Sequence, residues 1–398
     1  MSDTPIYLDH AATTAVSASV RAAMLQALEA EFGNPSSRHP LGSAARELVE
    51  EARRQVAAAT GARSEDVTFT SGGTEANNLA VLGLARAVAP KSSGDEAQVL
   101  IGPTEHPSVR AAAAALGREG LIVETMRLDA EGRLDVAHAA ERIGPGTRLV
   151  AQMLVNNEFG TLYDTRRLAR AVCARGGPET HLHIDAVQAL GKLPVEITSL
   201  FEAASLSGSL ALSAHKIHGP KGAGALVFAR GARRPTPLVF GGGQENDLRP
   251  GTENVPGIVG FGRAAVDATR DPAAVFAALE AARHSFEAAV AIELPTARVL
   301  VPYTDGAHSS PHVLSLEVPG APAEVWLHHL EVQGVFASAG SACAAHDTEL
   351  SPALLALGLD KSAARRVLRF SFDATTTQAE CERAAQALGR IAPALESL

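Results

Sequence analysis

The most chemically pointed stretch of the chain is Leu212-Ser213-Ala214-His215-Lys216-Ile217-His218-Gly219-Pro220-Lys221-Gly222. It follows one strand pattern and precedes another, so Lys216 falls on a turn between sheet elements. Lysine is a strongly hydrated cation that forms Schiff bases once a partly desolvated site lowers its pKa. Ser213 and His215 flank it, and both donate hydrogen bonds to an anion such as a phosphate. Taken alone, Lys216 also fits a solvated surface lysine. Lysine is scarce, however. Of 35 basic residues only Lys91, Lys192, Lys216, Lys221 and Lys361 are lysine.

A second feature is His183-Ile184-Asp185-Ala186-Val187-Gln188, where Asp185 ends a buried-strand pattern. The carboxyl ends of strands are where α/β sheets place ligand-binding groups. A carboxylate paired with a pyridinium nitrogen is what pyridoxal phosphate needs to act as an electron sink. An aspartate capping the next turn explains Asp185 equally well in isolation, but Asp185 and Lys216 together at two strand ends are more specific. Thr70-Ser71-Gly72-Gly73-Thr74-Glu75-Ala76-Asn77-Asn78 reads as a strand end, a glycine loop and a helix start, which suits a phosphate dianion. It is not a P-loop, because GxxxxGK[ST] is absent. Glu105-His106-Pro107 follows a further strand, and an imidazole there could stack on a flat ring and move protons near neutral pH. Asn156-Asn157-Glu158 lies at another strand end and offers an amide to the same cleft.

Ala339-Gly340-Ser341-Ala342-Cys343-Ala344-Ala345-His346 is a run of small residues that reads as a mobile loop with an accessible thiolate. Cys173, in LARAVCAR, and Cys381, in QAECERAAQAL, read instead as inert helix residues. Arg369 interrupts the apolar strand Val367-Leu368-Arg369-Phe370-Ser371, so its guanidinium needs a carboxylate, either a structural Asp or Glu or that of an amino-acid substrate. The histidine pairs His181/His183 and His328/His329 read as structural, and no metal-ligand spacing occurs.

These residues need a scaffold, and the periodicity supplies one. Residues 42–60 carry apolar positions at helical spacing. Strand patterns fall at 66–70, 99–102, 121–125, 148–155, 181–184, 205–209 and 224–228, with helices near 107–116, 135–142 and 164–175. This alternation predicts an α/β unit, a mostly parallel sheet sandwiched by helices. Later, a long helix over 272–292, a strand at 312–317, a helix at 323–332 and a strand at 366–372 predict a smaller α+β domain. The expected division is 16–265 for the large domain and 1–15 plus 266–398 for the small one, with 86–97 an exposed loop. The chain is 398 residues long with a net charge of −9, which disfavours direct nucleic-acid contact. Three scattered cysteines exclude a disulfide framework. No secretory signal and no membrane span is read, so a cytoplasmic location is expected.

The ordered motifs YLDHAATT (7–14), FGNPSSRH (32–39), FTSGGTEANNLA (69–80), EHPSV (105–109), NNEFGT (156–161), HIDAVQALGK (183–192), LSAHKIHGPKGAGAL (212–226), GGGQE (241–245), RPGTENVPGIVG (249–260) and GSAC (340–343) resemble the cysteine desulfurases of the class V aminotransferase group. These are fold-type I pyridoxal-phosphate enzymes, and the serine-alanine-cysteine loop resembles the long-loop subgroup.

The resemblance implies a role for each matching position. Lys216 matches the lysine that carries pyridoxal 5'-phosphate, Asp185 the partner of its ring nitrogen, Gln188 the contact to its ring hydroxyl and His106 the stacking and acid–base histidine. Gly73, Thr74, Ser213 and His215 match the phosphate set, with Thr252 reaching the neighbouring subunit of a homodimer. Asn157 and Arg369 match positions holding the substrate carboxylate, with Arg366 as the alternative to Arg369; Asn157 also matches a cofactor contact, and Asn34 a substrate contact. Cys343 matches the nucleophile that becomes a persulfide. The implied reaction takes L-cysteine to L-alanine and passes sulfur to an acceptor protein, an iron–sulfur scaffold or a sulfur carrier. A selenocysteine lyase or other β-eliminating enzyme, or a non-catalytic sulfur carrier or scaffold, is the alternative.

Overall fold

The structure is a computed structural model describing residues 4–29, 32–88, 97–201, 205–303, 308–340 and 350–395. Most of the loop expected at 86–97, and Cys343 with its neighbours, lie outside the described residues. Seven strands lie side by side in the order Val67–Thr70, Gly224–Phe228, Ser207–Ser213, His181–Asp185, Thr147–Met153, Gln98–Ile101 and Ile122–Thr125. Gly224–Phe228 runs antiparallel to both of its neighbours, and the other pairings are parallel. Central strands such as Thr147–Met153 are buried along almost their whole length, whereas the edge strand Ile122–Thr125 is partly exposed. That is the burial expected of a parallel sheet covered by helices on both faces.

Local chemistry explains the helices that cover it. Pro40–Thr60 begins on proline, has His39 accepting at Nδ1 from Gly42 N, and ends at Gly61 with φ 67°. Ala45, Val49, Ala52 and Val56 form its buried stripe, each valine contributing roughly 2 kcal/mol by its burial. The helix Val255–Ala268 packs on that stripe, and Gly262 permits the contact, since a Cβ there would lie 2.7 Å from Ala52 Cα.

A second sheet has the order Ser338–Ala339, Val367–Ser371, Val313–Glu317, Arg298–Val299, all antiparallel. Helices Pro272–Glu293 and Gln378–Leu395 pack together beside it, around Phe286, Phe370, Phe372 and Trp326. The N-terminal strand Ile6–Tyr7 pairs with Val335–Phe336, which brings Ile6 and Leu8 into this core.

Two expectations need correction. The strand read at 205–209 is Ser207–Ser213, because pairing on both sides extends it toward Lys216. Cys173 does lie in a helix, Thr165–Arg175, but on an exposed position, whereas Cys381 is buried. Among the described residues no helix is long and apolar enough to cross a membrane.

Candidate active site

Because their strands run parallel, Thr70, Ser213, Asp185, Met153 and Ile101 all end at one edge of the large sheet. The residues following them form the site. Ser213 leads directly into the short turn Ala214–Lys216. There the Lys216 ammonium donates to Ala11 O at 2.6 Å and Ala12 O at 2.7 Å. Thr14 N and Oγ1 both donate to His215 O, at 2.9 and 3.0 Å. The segment Asp9–Thr14 therefore wraps the lysine turn. Lys192 donates to the Lys216 carbonyl from a half-buried position. Desolvation, and then the Lys216 charge, push the Lys192 ammonium down to about 7.

Asp185 is 6% exposed, and both its oxygens are engaged. Oδ1 accepts from Val187 N at 3.0 Å and Oδ2 from Asn77 Nδ2 at 2.7 Å. His106 caps the helix Pro107–Arg118, with Nδ1 accepting from Ser108 N at 3.1 Å. Its proton, where neutral, then sits on Nε2. Burial lowers the His106 pKa, the Asp185 charge opposes that, and the Lys216 charge adds to it. His106, Asp185 and Lys216 are thus electrostatic neighbours. Gln188 donates from Nε2 to Ala11 O at 2.9 Å, and its Oε1 lies 3.3 Å from His312 Nε2.

At the sheet edge beside Lys216, the loop before the helix Gly73–Asn78 contains Gly72 at φ 155°, a backbone state that favours glycine. A Cβ on Gly73 would stand 2.6 Å from Val187 Cγ2 and 3.7 Å from Ser213 Cβ, and one on Gly72 would stand 3.9 Å from Ser213 Oγ. Bare backbone here keeps a concave space in front of Ser213. The Ser213 hydroxyl is buried without a hydrogen-bond partner. Glu75 closes the loop, accepting from Ser71 N at 2.7 Å and from Arg249 Nε at 3.0 Å. His215 Nδ1 lies 3.2 Å from Thr13 Oγ1, and desolvation followed by the Lys216 charge pushes this imidazole down to about 4.

The second sheet contributes Arg369. Its guanidinium is 4% exposed, pairs with Asp9 at 2.7 Å and donates to Asn157 O at 3.0 Å, while Nε has no partner. Asn157 therefore meets Arg369 through its backbone. Arg366 turns elsewhere, to Glu317 at 2.9 Å, so the geometry favours Arg369 over Arg366. Asn156 is a turn former, its Oδ1 accepting from Glu158 N and Phe159 N, and does not offer its amide oxygen to the cleft. Glu158 is pushed up to about 7 by burial, against the hydrogen bond from Ser351. Asn34 is exposed and its side chain accepts from Ser36 N at 2.9 Å, with no described contact tying it to the Lys216 cluster. Thr252 is also exposed.

This donor set fits pyridoxal phosphate. A buried carboxylate that only accepts suits a protonated ring nitrogen. The unpaired Ser213 hydroxyl beside a glycine-cleared space suits a phosphate oxygen, and the unpaired Arg369 Nε suits an amino-acid carboxylate. Asp9, Ala11, Asn77, Lys192 and His312 also belong to this neighbourhood and carried no assigned role in the sequence reading. The motif YLDHAATT contains the first two and FTSGGTEANNLA contains Asn77, whose contact with Asp185 spans 108 positions and has no local signal.

The sequence pattern of the Aminotransferase class-V family matches residues 6–384. A cysteine desulfurase from Frankia sp. (strain EuIK1) is 38% identical over 415 residues, covering 99% of this chain and 92% of that protein. A NifS-like protein of known structure superposes with a TM-score of 0.88 at 29% identity, covering 98% of this chain and all of that one. A structure described as SspA in complex with cysteine superposes with a TM-score of 0.76 at 29% identity, covering 93% of this chain and 99% of that one. With the lysine, aspartate and histidine gathered at one edge of a class V sheet, the chain belongs to the cysteine desulfurases of the class V aminotransferase family.

Proposed function

We propose that the protein converts L-cysteine to L-alanine and receives the sulfur as a persulfide on Cys343. The observation that carries this reading is the convergence of Lys216, Asp185 and His106, with Arg369, whose Nε lacks a partner, held by Asp9 of the segment that wraps the lysine turn. Pyridoxal 5'-phosphate is the cofactor of the family, and when bound it supplies an electron sink for the charge left by removal of the substrate's Cα proton. Lys216, Asp185, Gln188, His106, Gly73, Thr74, Ser213 and His215 would hold it. Arg369 orients the substrate carboxylate, with Asn157 fixed beside it. Lys216 Nζ takes the Cα proton, and His106, with its proton on Nε2, serves as the acid–base group for the substrate sulfur. The Cys343 thiolate takes the sulfur as the Cβ–S bond breaks, leaving alanine.

The working unit we infer is a homodimer in which Thr252 serves the phosphate site of a second copy. The division into 16–265 and 1–15 plus 266–398 is supported by the two largest buried cores, which fall on either side of it, and by Ile6 and Leu8 lying in the second. A cytoplasmic location and delivery of sulfur to an iron–sulfur scaffold or sulfur-carrier protein complete the reading. The test is alanine formation from L-cysteine by the wild type and by Lys216→Ala. Stoichiometric alanine and a visible cofactor band, both lost in the variant, support it; alanine formation at an unchanged rate by Lys216→Ala would refute it.

A further inference from the structure

Behind Asp185, the sheet carries a column of polar side chains that the chemistry above does not use. His181, His183 and Asp185 alternate on one strand, with Ser207 opposite His181 and Ser209 opposite His183 on the parallel neighbour. The strand period of two puts all five on one face. His181, His183 and Ser209 are fully buried and Asn77 is 1% exposed, so each polar atom needs a protein partner. The contacts run without a break. Arg233 N donates to Ser207 Oγ at 3.1 Å, and Ser207 Oγ lies 2.8 Å from His181 Nδ1. His181 Nε2 lies 2.9 Å from Ser209 Oγ, which lies 2.9 Å from His183 Nδ1. His183 Nε2 lies 2.9 Å from Asn77 Oδ1, and Asn77 Nδ2 donates to Asp185 Oδ2 at 2.7 Å.

Counting donors leaves one direction for the whole column. An ionised carboxylate only accepts, so Asn77 must turn its NH2 to Asp185 and its oxygen to His183. That oxygen requires a proton on His183 Nε2. Burial keeps both imidazoles neutral, pushing His183 down to about 3 and His181 well below its ordinary value, so each ring holds a single proton. His183 Nδ1 therefore accepts from the Ser209 hydroxyl, Ser209 accepts from His181 Nε2, and His181 Nδ1 accepts from the Ser207 hydroxyl. Ser207 accepts in turn from a backbone N–H that cannot reverse. Hydrogen bonds chained in one sense polarise one another.

We propose that His183, Ser209 and His181 are positioning residues for Asp185, a one-way column that locks the Asn77 amide with its NH2 against the carboxylate. Asp185 is thereby presented to the cofactor's ring nitrogen as an acceptor in a fixed orientation. A proton on Nδ1 of His183 would instead set a lone pair against Asn77 Oδ1 and favour a turned amide. The inference rests on the reading of Asp185 as the ring-nitrogen partner.

Neutron diffraction from crystals of the perdeuterated holoenzyme tests it directly. The expected result is deuterium on Nε2 and none on Nδ1 of both histidines, with the Asn77 ND2 group facing Asp185. Deuterium on His183 Nδ1, or the Asn77 oxygen facing Asp185, would overturn it. Ser209→Ala breaks the column while leaving Asp185, Asn77 and both rings in place. Its kcat for alanine formation should fall about tenfold, the usual scale for losing an outer-shell partner. KM should stay within twofold, and the pH midpoint of the bound cofactor's visible band should move. A folded Ser209→Ala protein with unchanged kcat and midpoint would overturn the proposal. If the enzyme made no alanine at all, the neutron result would still decide the column, so the two failures are distinguishable.

Discussion

Arg369 Nη2 lies 2.7 Å from Asp9 Oδ1, so the guanidinium of the second sheet is neutralised by the same segment whose Ala11 and Ala12 carbonyls grip Lys216. A substrate carboxylate binding Arg369 must share or displace that partner. The N-terminal segment thus joins Arg369 to the lysine turn.

Arg369→Ala should raise the KM for L-cysteine at least about tenfold, the cost of losing a charged hydrogen bond. Arg366→Ala should leave KM within about twofold, because Arg366 is already engaged by Glu317. Steady-state kinetics of the two variants decide between the arginines. The opposite ranking would move the carboxylate site to Arg366.

Asp9→Asn leaves a nearly buried guanidinium with a weaker partner and should lower unfolding stability by about 1–2 kcal/mol in urea. L-Alanine, which carries the competing carboxylate, should recover more of that stability in the variant than in the wild type. Equal recovery in both proteins would separate Asp9 from substrate binding.

Ser213→Ala removes a hydroxyl that makes no hydrogen bond within the protein, so folding stability should not change. Affinity for pyridoxal phosphate should fall about tenfold, the loss of one hydrogen bond to a charged group. Spectroscopic titration of apoprotein measures this. An unchanged dissociation constant would take Ser213 out of the phosphate set.

Much of this site was legible because it lies on period-two strands that end in chemistry-bearing residues. Lys216, Asp185 and His106 each follow an apolar run, and a parallel sheet brings such ends to one edge. Less legible was whatever depends on register and on distant chain. Ser207–Ser213 extends beyond its own β-pattern because two neighbours pair with it. The grip of Ala11 on Lys216 joins residues 205 positions apart. Helix Ala18–Glu29 buries only Val20 and Ala27, which leaves little apolar periodicity to read.

His183 is held neutral by burial, with its folded pKa depressed to about 3. The unfolded chain binds more protons at His183 as pH falls below about 6.5, so folding stability should decline with acid through that window. The slope is about 1.4 kcal/mol per pH unit for each such histidine. His183→Gln should have a shallower acid slope in urea unfolding between pH 6.5 and 4.5. An identical slope would show that His183 does not contribute to it.

Lys192 supplies the opposite end of the pH range. Its folded pKa of about 7 lies below the ordinary lysine value, so the unfolded state binds more protons from about pH 7 to 10.5. Stability should rise with pH across that window in the wild type and rise less in Lys192→Met. Urea midpoints at pH 7 and 9.5 measure the difference; equal rises would contradict a depressed Lys192 pKa.

The proposed reaction moves sulfur from L-cysteine to Cys343. The most direct measurement is alanine and sulfide release from L-cysteine with a reductant present, by wild type and by Cys343→Ala, with mass spectrometry of the protein after a reductant-free turnover. The expected result is a gain of one sulfur atom on the peptide containing Cys343 in the wild type, and loss of both this species and turnover in the variant. Alanine and sulfide production by Cys343→Ala at the wild-type rate would contradict it.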